Sequence, residues 1–475
     1  MKEIINSVGI DIGTSTTQLI FSKLTIENLA SSYTVPRISI VNTEVVYRSD
    51  IYFTPLTDKS TIDAAQVKRI VESEYDKAKM NKQDLQTGAV IITGETARKE
   101  NANDVLNALS HMAGDFVVAT AGPDLESVLS AKGAGTDVMS KEDRNTIANI
   151  DIGGGTSNLA VFRQGNLIST ACLDIGGRLL KVENGIVTYI YEKTKKLIQA
   201  ENLHISEGMK ADEGEFKKLA AVMARHLAMA LNLMAKDEMH KTLYTNDGDA
   251  IKADIALDGV TFSGGVADVV YHPDGRAPFE YGDMGVFLGN AINAETAFGK
   301  VKRYQAIETI RATVVGAGTH TTEVSGSTIR YERECLPIKN APVIKMTEEE
   351  EEDLHIFSAS LSEKMDIYTN KDTQQCVAVA LSGKRYCSFD EVQELAQAII
   401  HGLKGYDNPS VPVVLIVEND IGKVLGNAVA YLMGTRKVIS IDNIFVKEGD
   451  YVDIGEPVAN GRVVPVITKT LIFNR

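Results

Sequence analysis

The stretch from Asn149 to Phe162, NIDIGGGTSNLAVF, holds residues that could grip a charged ligand. Ile150 and Ile152 flank Asp151 in an alternating, β-prone run, so Asp151 points away from the face that carries the isoleucines. Gly153, Gly154 and Gly155 follow. Glycine reaches positive φ without strain and lets a ligand come close to the backbone. Thr156 and Ser157 add hydroxyls, and Leu159, Val161 and Phe162 read as a second strand. The pattern is strand, tight turn, strand. The bare N–H groups of such a turn can cradle phosphate oxygens, and a carboxylate at the strand end can hold Mg²⁺ through water.

The pattern occurs twice. Val8 to Phe21 reads VGIDIGTSTTQLIF, with Asp11 at the place of Asp151, Gly13 of Gly153, Thr16 of Thr156 and Leu19 of Leu159. Thr14 and Ser15 complete that turn. A lone Gly-rich hairpin is weak evidence, because many hairpins turn on glycine with no ligand. Two copies, 140 residues apart and each with an acid at the same offset, predict two related halves that bring their hairpins to one cleft. A structural turn in each copy is the blander alternative.

The pair resembles the phosphate-1 and phosphate-2 motifs of the actin, sugar-kinase and Hsp70-type ATPase superfamily. That resemblance implies an α/β fold with two related halves around a nucleotide cleft. ATP and Mg²⁺ would be the cofactors, with Asp11 and Asp151 holding the metal. Gly13, Thr14, Ser15 and Thr16, with Gly153, Gly154, Gly155 and Thr156, would take the phosphates. Four further stretches, Val117–Gly135, Thr261–Tyr271, Ile310–Ile329 and Gly449–Phe473, narrow the match. With them the chain is similar, nearly end to end, to the large reactivating factors of ethanolamine ammonia-lyase, an adenosylcobalamin enzyme. The resemblance implies ethanolamine ammonia-lyase as partner, with adenosylcobalamin only as cargo of that client. The implied action is release of damaged cobalamin so that intact cofactor can bind. One departure stands out: Val8–Leu19 carries no lysine, where actin and Hsp70-type proteins have one that contacts phosphate. Slow turnover is the expectation. A reactivase of another cobalamin-dependent dehydratase, a sugar-kinase-like small-molecule kinase and a filament-forming actin-like protein are the alternatives. No catalytic aspartate for a kinase can be placed.

Composition narrows the classes. At 475 residues the chain has room for about three domains. Its 44% hydrophobic and 24% charged residues are ordinary for a soluble globular protein. The net charge of −15 and the lack of a basic stripe argue against nucleic acid and anionic membranes as partners. Met1–Asn6 has no signal-peptide core, and no apolar run approaches the ~20 residues of a membrane span. Cys172, Cys335, Cys376 and Cys387 form no C-x-x-C pair, which fits a reducing cytoplasm and buried thiols. No histidine spacing suggests zinc. The resemblance places the client in a bacterial microcompartment.

The elements that must position these turns follow in order. Ile38–Val46 reads as a strand, Ile62–Leu85 as an amphipathic helix, and Ala89–Thr93 as a buried strand before a Gly94 turn. Asn101–Met112 reads as a helix and Phe116–Ala119 as a strand. Strands alternating with helices imply α/β layers. Ala121-Gly-Pro-Asp-Leu-Glu-Ser opens a helix that resembles the superfamily's first connecting helix, where an acid positions the attacking water. Glu126 is the first candidate and Asp124 the second, with simple helix capping as the alternative. After Ala148 come a strand over Asn166–Asp174 and the longest helical pattern, Glu215–Lys236, in which His226 is an ordinary helix residue. A strand over Ile255–Val260 leads to Gly264-Gly265, which resembles the adenosine motif. Tyr281–Ile292 resembles the second connecting helix. Thr313–Ile329 reads as a Gly-rich strand–turn–strand that competes for the adenosine role. Thr347 and Glu350 fit a capping box at a solvated, acidic helix start. Helices over Phe389–Leu403 and Lys423–Met433 flank a strand at Val413–Val417, and Asp442–Phe473 reads as all-β. The expected domains are residues 1–148, 149–297 and a partner-binding extra domain of α/β and β elements over 298–475.

Overall fold

The computed structural model describes residues 2–13, 15–29, 38–58, 61–93, 101, 105, 109, 118–120, 123–245, 250–273, 275–320, 322–326, 328–366, 369–370, 373–374, 376–406 and 408–470. Thr14, the Gly94 turn, Ala121-Gly122 and most of the helix expected over Asn101–Met112 lie outside them.

The first sheet is built from β1 (Lys2–Ile12), β2 (Thr16–Asn28), β3 (Ile38–Arg48), β4 (Tyr52–Phe53), β5 (Thr87–Ile92) and β6 (Val118–Thr120). Its order is β3-β2-β1-β5-β6, with β4 at the end of β2. β1, β2 and β3 are antiparallel neighbours, whereas β5 and β6 run parallel to β1. Helix α1 (Ala64–Ala78) covers one face with Val67, Val71 and Tyr75, four residues apart. Asp63 caps its start by accepting from the Gln66 N–H. The helix is shorter than its sequence pattern, because Lys79 turns left-handed and its N–H bonds back to Asp76 and Tyr75.

The second sheet repeats the first. After α2 (Pro123–Gly133) and α3 (Thr136–Glu142) come β7 (Thr146–Ile152), β8 (Ser157–Arg163) and β9 (Asn166–Leu173). A small hairpin, β10 (Leu180–Glu183) and β11 (Ile186–Ile190), leads into α4 (Glu192–Ala200), α5 (Glu213–Ala230) and α6 (Glu238–Thr242). Then follow β12 (Gly259–Ser263), α7 (Ala267–Tyr271), α8 (Gly285–Ala294) and β13 (Lys302–Arg303). The order is β9-β8-β7-β12-β13, again three antiparallel strands and two parallel ones. The expected strand over Ile255–Val260 begins later, at Gly259, where pairing with Ile147 of β7 starts. Phe216, Leu219, Met223 and Leu227 of α5 fill this half's core. His226 is also buried there and stacks on His240.

The connection between the halves differs from the sequence reading. Thr313–Ile329 is not strand–turn–strand: α9 (Ala312–His320) is a helix. It lies on the first sheet, where Ser7 Oγ donates to the Gly318 carbonyl at 2.7 Å, and it crosses α2. The crossing is made at glycines. A Cβ on Gly133 would strike the Ala312 carbonyl, and one on Gly316 would strike that of Leu129. α2 carries the chain from the first sheet to the second, and α9 carries it back. The expected second connecting helix, α8, packs instead on α5 and α7 inside the second half. Its Gly289 serves local contact with Val269.

The remaining elements form a third sheet. They are β14 (Thr322–Val324), β15 (Ile338–Lys345), α10 (Leu354–Asp366), the β16 (Thr369–Asn370) and β17 (Thr373–Gln374) hairpin, β18 (Ala378–Leu381), α11 (Phe389–Gly402), β19 (Val413–Val417), α12 (Gly422–Met433), β20 (Val438–Asp442), β21 (Asp450–Ile454) and β22 (Pro465–Thr470). The order is β14-β22-β21-β15-β18-β19-β20. Ser388 and Glu391 form a capping box at α11. Thr347 and Glu350 exchange the expected bonds, but the acidic run is not merely solvated. Glu351 is buried and accepts from the N–H groups of Ser382 and Gly383 at 2.6 and 3.0 Å. Val458, Ala459 and Val463 seal this unit against Ile5, Leu24 and Ile26 of the first sheet.

Candidate functional site

The two hairpins are the same object. In the first, Ile12 pairs with Thr17 and the Gly13 N–H closes the turn on the Thr16 carbonyl at 2.8 Å. In the second, Ile152 pairs with Ser157 and the Gly153 N–H bonds the Thr156 carbonyl at 3.0 Å. The amides of Gly13 and Gly153 are thus spent on the turns themselves. The turns meet: a Cβ on Gly154 would collide with Ser15 Oγ, so the bare glycine lets the serine of the first half close on it. The loop after β9 supports the second turn. The N–H groups of Gly177 and Arg178 donate to the carbonyls of Gly153 and Gly154 at 2.9 and 2.7 Å.

Behind the turns stand the two aspartates, 8% and 4% exposed for Asp11 and Asp151. Thr93 Oγ1 donates to Asp11 at 2.8 Å, and Ser263 Oγ donates to Asp151 at 2.6 Å. Burial pushes the Asp11 carboxyl up to about 7; the Thr93 hydroxyl opposes this and repulsion from Asp151 adds to it. Burial pushes Asp151 up to about 6, opposed by the Ser263 and Thr313 hydroxyls. Each carboxylate stands at the strand end just before its turn, and the two turns touch at Ser15 and Gly154. An uncompensated buried pair of this kind fits a divalent cation, which would restore both to the charged form.

A family model described as ethanolamine utilisation protein EutA matches residues 3–474. The chain belongs to the EutA family. Curated relatives named ethanolamine ammonia-lyase reactivase EutA are 34% identical to it. The Salmonella typhimurium LT2 protein aligns over 472 residues and the Escherichia coli K12 protein over 479, each covering 98% of both chains. Among solved structures, a Ppx/GppA family member from Aquifex aeolicus aligns with 66% of this chain and 97% of its own, at 12% identity and a TM-score of 0.38. The ethanolamine utilisation protein EutJ from Carboxydothermus hydrogenoformans aligns with 66% and 89%, at 17% identity and a TM-score of 0.31. The family resemblance read from the motifs is borne out.

In this EutA-family chain the other expected residues fall as follows. Glu126 is buried in the first turn of α2, whereas Asp124 is exposed and accepts from Thr170 Oγ1 at 2.6 Å. Gly264 has φ of +81° and sits against the end of β7, donating its N–H to the Thr309 carbonyl at 3.0 Å. Beside it, Gly265 faces open space. Sequence reasoning missed Thr93, Ser263 and Thr313, which come from distant strands and the start of α9. It also missed a signal within reach. Gln18 and Asn158 each stand seven residues after an aspartate and pair with it across the hairpin. Both are buried, with Gln18 Oε1 and both polar atoms of Asn158 lacking partners.

Proposed function

We propose that this chain is an ATP-driven reactivase of ethanolamine ammonia-lyase. Family membership and the names of relatives at 34% identity support the client. The observation that carries the ATP reading is the meeting of two glycine turns at Ser15 and Gly154, with Asp11 and Asp151 behind them.

In this account ATP lies between the halves. Mg²⁺, when bound, supplies charge neutralisation at the phosphates and draws most of its ligands from water and phosphate oxygens. Asp11 and Asp151 would hold it; among the described residues no three acidic, histidine or cysteine side chains converge as a protein cage. The turns' backbone amides other than those of Gly13 and Gly153, Thr14 among them, and the hydroxyls of Ser15, Thr16 and Thr156 would orient the terminal phosphates. Their fixed dipoles face the charge that develops there. Glu126 positions the attacking water, with Asp124 the second choice. Gly264 and Gly265 admit the adenosine. Loss of the γ-phosphate lets the halves part about the crossing of α2 and α9, a hinge-type switch. The third sheet, docked on the first half, carries that motion to the client. There it opens the stalled enzyme and releases damaged cobalamin, with adenosylcobalamin binding the client and not this chain. The work takes place in the cytoplasm, within or attached to the microcompartment.

The test is recovery of activity. Ethanolamine ammonia-lyase blocked with cyanocobalamin is mixed with the protein, ATP, Mg²⁺ and adenosylcobalamin. Deaminase activity returns in this account and does not return without ATP. ATP consumption with no recovery would defeat the client assignment.

A further inference from the structure

The first turn has no lysine, and the cleft holds two buried carboxylates, so a polyphosphate entering it needs a cation from elsewhere. We propose that Arg178 is that cation, binding the terminal phosphate oxygens of a nucleoside triphosphate between the two glycine turns. The proposal rests on the nucleotide reading of the cleft and adds the group that recognises the phosphate chain.

Four observations place the guanidinium there. The Arg178 N–H donates to the Gly154 carbonyl, so its backbone is fixed under the middle of the second turn. Its side chain then runs alongside Gly154: Arg178 Cβ and Cδ would each lie 3.5 Å from a Cβ built on that glycine, on which Ser15 Oγ also closes. The guanidinium reaches across to the first half and lies 5.4 Å from the ring centroid of Phe53. Phe53 pairs with Thr16, the last residue of the first turn, and is 75% exposed. Arg178 thus spans the mouth of both turns. Finally, Arg178 Nε and Ser15 Oγ are both buried with no hydrogen-bond partner. Ser15 Oγ, from the first half, and the Arg178 side chain, from the second, thus both lie against Gly154, where an anion with several oxygens could meet the hydroxyl and the guanidinium together. Arg178 is anchored from behind by Asp283, whose Oδ2 lies 3.5 Å from Nε while its Oδ1 accepts from the Gly285 N–H. That loose pairing orients the fork without filling it.

A structural arginine would stiffen the second turn and serve any ligand equally. A phosphate-binding one discriminates by phosphate number. Wild type, Arg178→Gln and Arg178→Lys are titrated calorimetrically with Mg-ATP, Mg-ADP and adenosine. The expected result is a loss of about 10- to 100-fold in ATP affinity for Arg178→Gln, a smaller loss for ADP and none for adenosine. Arg178→Lys recovers part of the ATP affinity. Unchanged ATP affinity in Arg178→Gln, or an equal loss for all three ligands, overturns the proposal while leaving the cleft reading intact. Wild-type protein that binds none of the three overturns the cleft reading itself.

Discussion

At the scale of residues, the site combines two things that oppose one another. Asp11 and Asp151 are buried where a metal–nucleotide complex would need their charge, and burial makes that charge costly. The Asp11 carboxyl is held near 7, against an ordinary value of 3.8. A raised folded-state value means that the native protein binds the extra proton. The stabilising contribution is full below about pH 4 and is lost as pH rises towards 7. Asp11→Asn keeps a partner for Thr93 and removes the ionisation. Its nucleotide-free melting temperature should therefore exceed that of wild type by a few degrees at pH 8 and match it at pH 4 to 5. Identical pH profiles of Tm would remove the burial argument. Glu126→Gln should still bind ATP and hydrolyse it at least about tenfold more slowly. Unchanged turnover would move the role to Asp124. The aspartates and glycines were legible because their spacing repeats within the chain. Thr93 and Ser263 were not, since they reach the carboxylates only after β5 and β12 pair in parallel with β1 and β7, and Thr313 was not, since it reaches Asp151 only once α9 has packed.

At the scale of elements, glycine carried two meanings that the sequence could not separate. In Gly153-Gly-Gly it makes room for Ser15 and, in the proposed function, for a phosphate. In the segment ATVVGAGTH, β-branched residues and glycines suggest a strand, yet the segment is the α9 helix. Tertiary packing overrides propensity there, because the smallest side chains allow α2 and α9 backbones to touch. Gly316→Val places new atoms against the Leu129 carbonyl and should cost about 1–3 kcal/mol by denaturant unfolding, with ATP turnover falling in step. Wild-type stability would mean that the crossing is looser than described. The acidic run at Thr347–Leu354 taught a related lesson. A run of glutamates reads as a solvated face, but Glu351 turns inward to two backbone N–H groups that lack other claims on it. Glu351→Leu should destabilise the third sheet's unit by about 1–3 kcal/mol, since it leaves those amides unpaired. A stability equal to wild type would show that solvent replaces the carboxylate.

At the scale of the whole molecule, two sheets share one strand order and each offers one turn to a common cleft. That duplication was readable from a repeated motif of a few residues, because β1–β2 and β7–β8 are the hairpins that start each sheet. The third sheet was readable as separate strands and helices but not as one seven-stranded sheet, since β14 and β15 pair with strands more than a hundred residues later. Its seal against the first half would give the proposed cleft motion a route to a client. The most direct test of the cleft is phosphate release from Mg-ATP by wild type, Asp11→Ala and Asp151→Ala, each checked for a retained melting transition. Wild type should turn over slowly, and both variants should lose at least about a hundredfold. Wild-type turnover in both would contradict the claim that a nucleotide is held between these two turns.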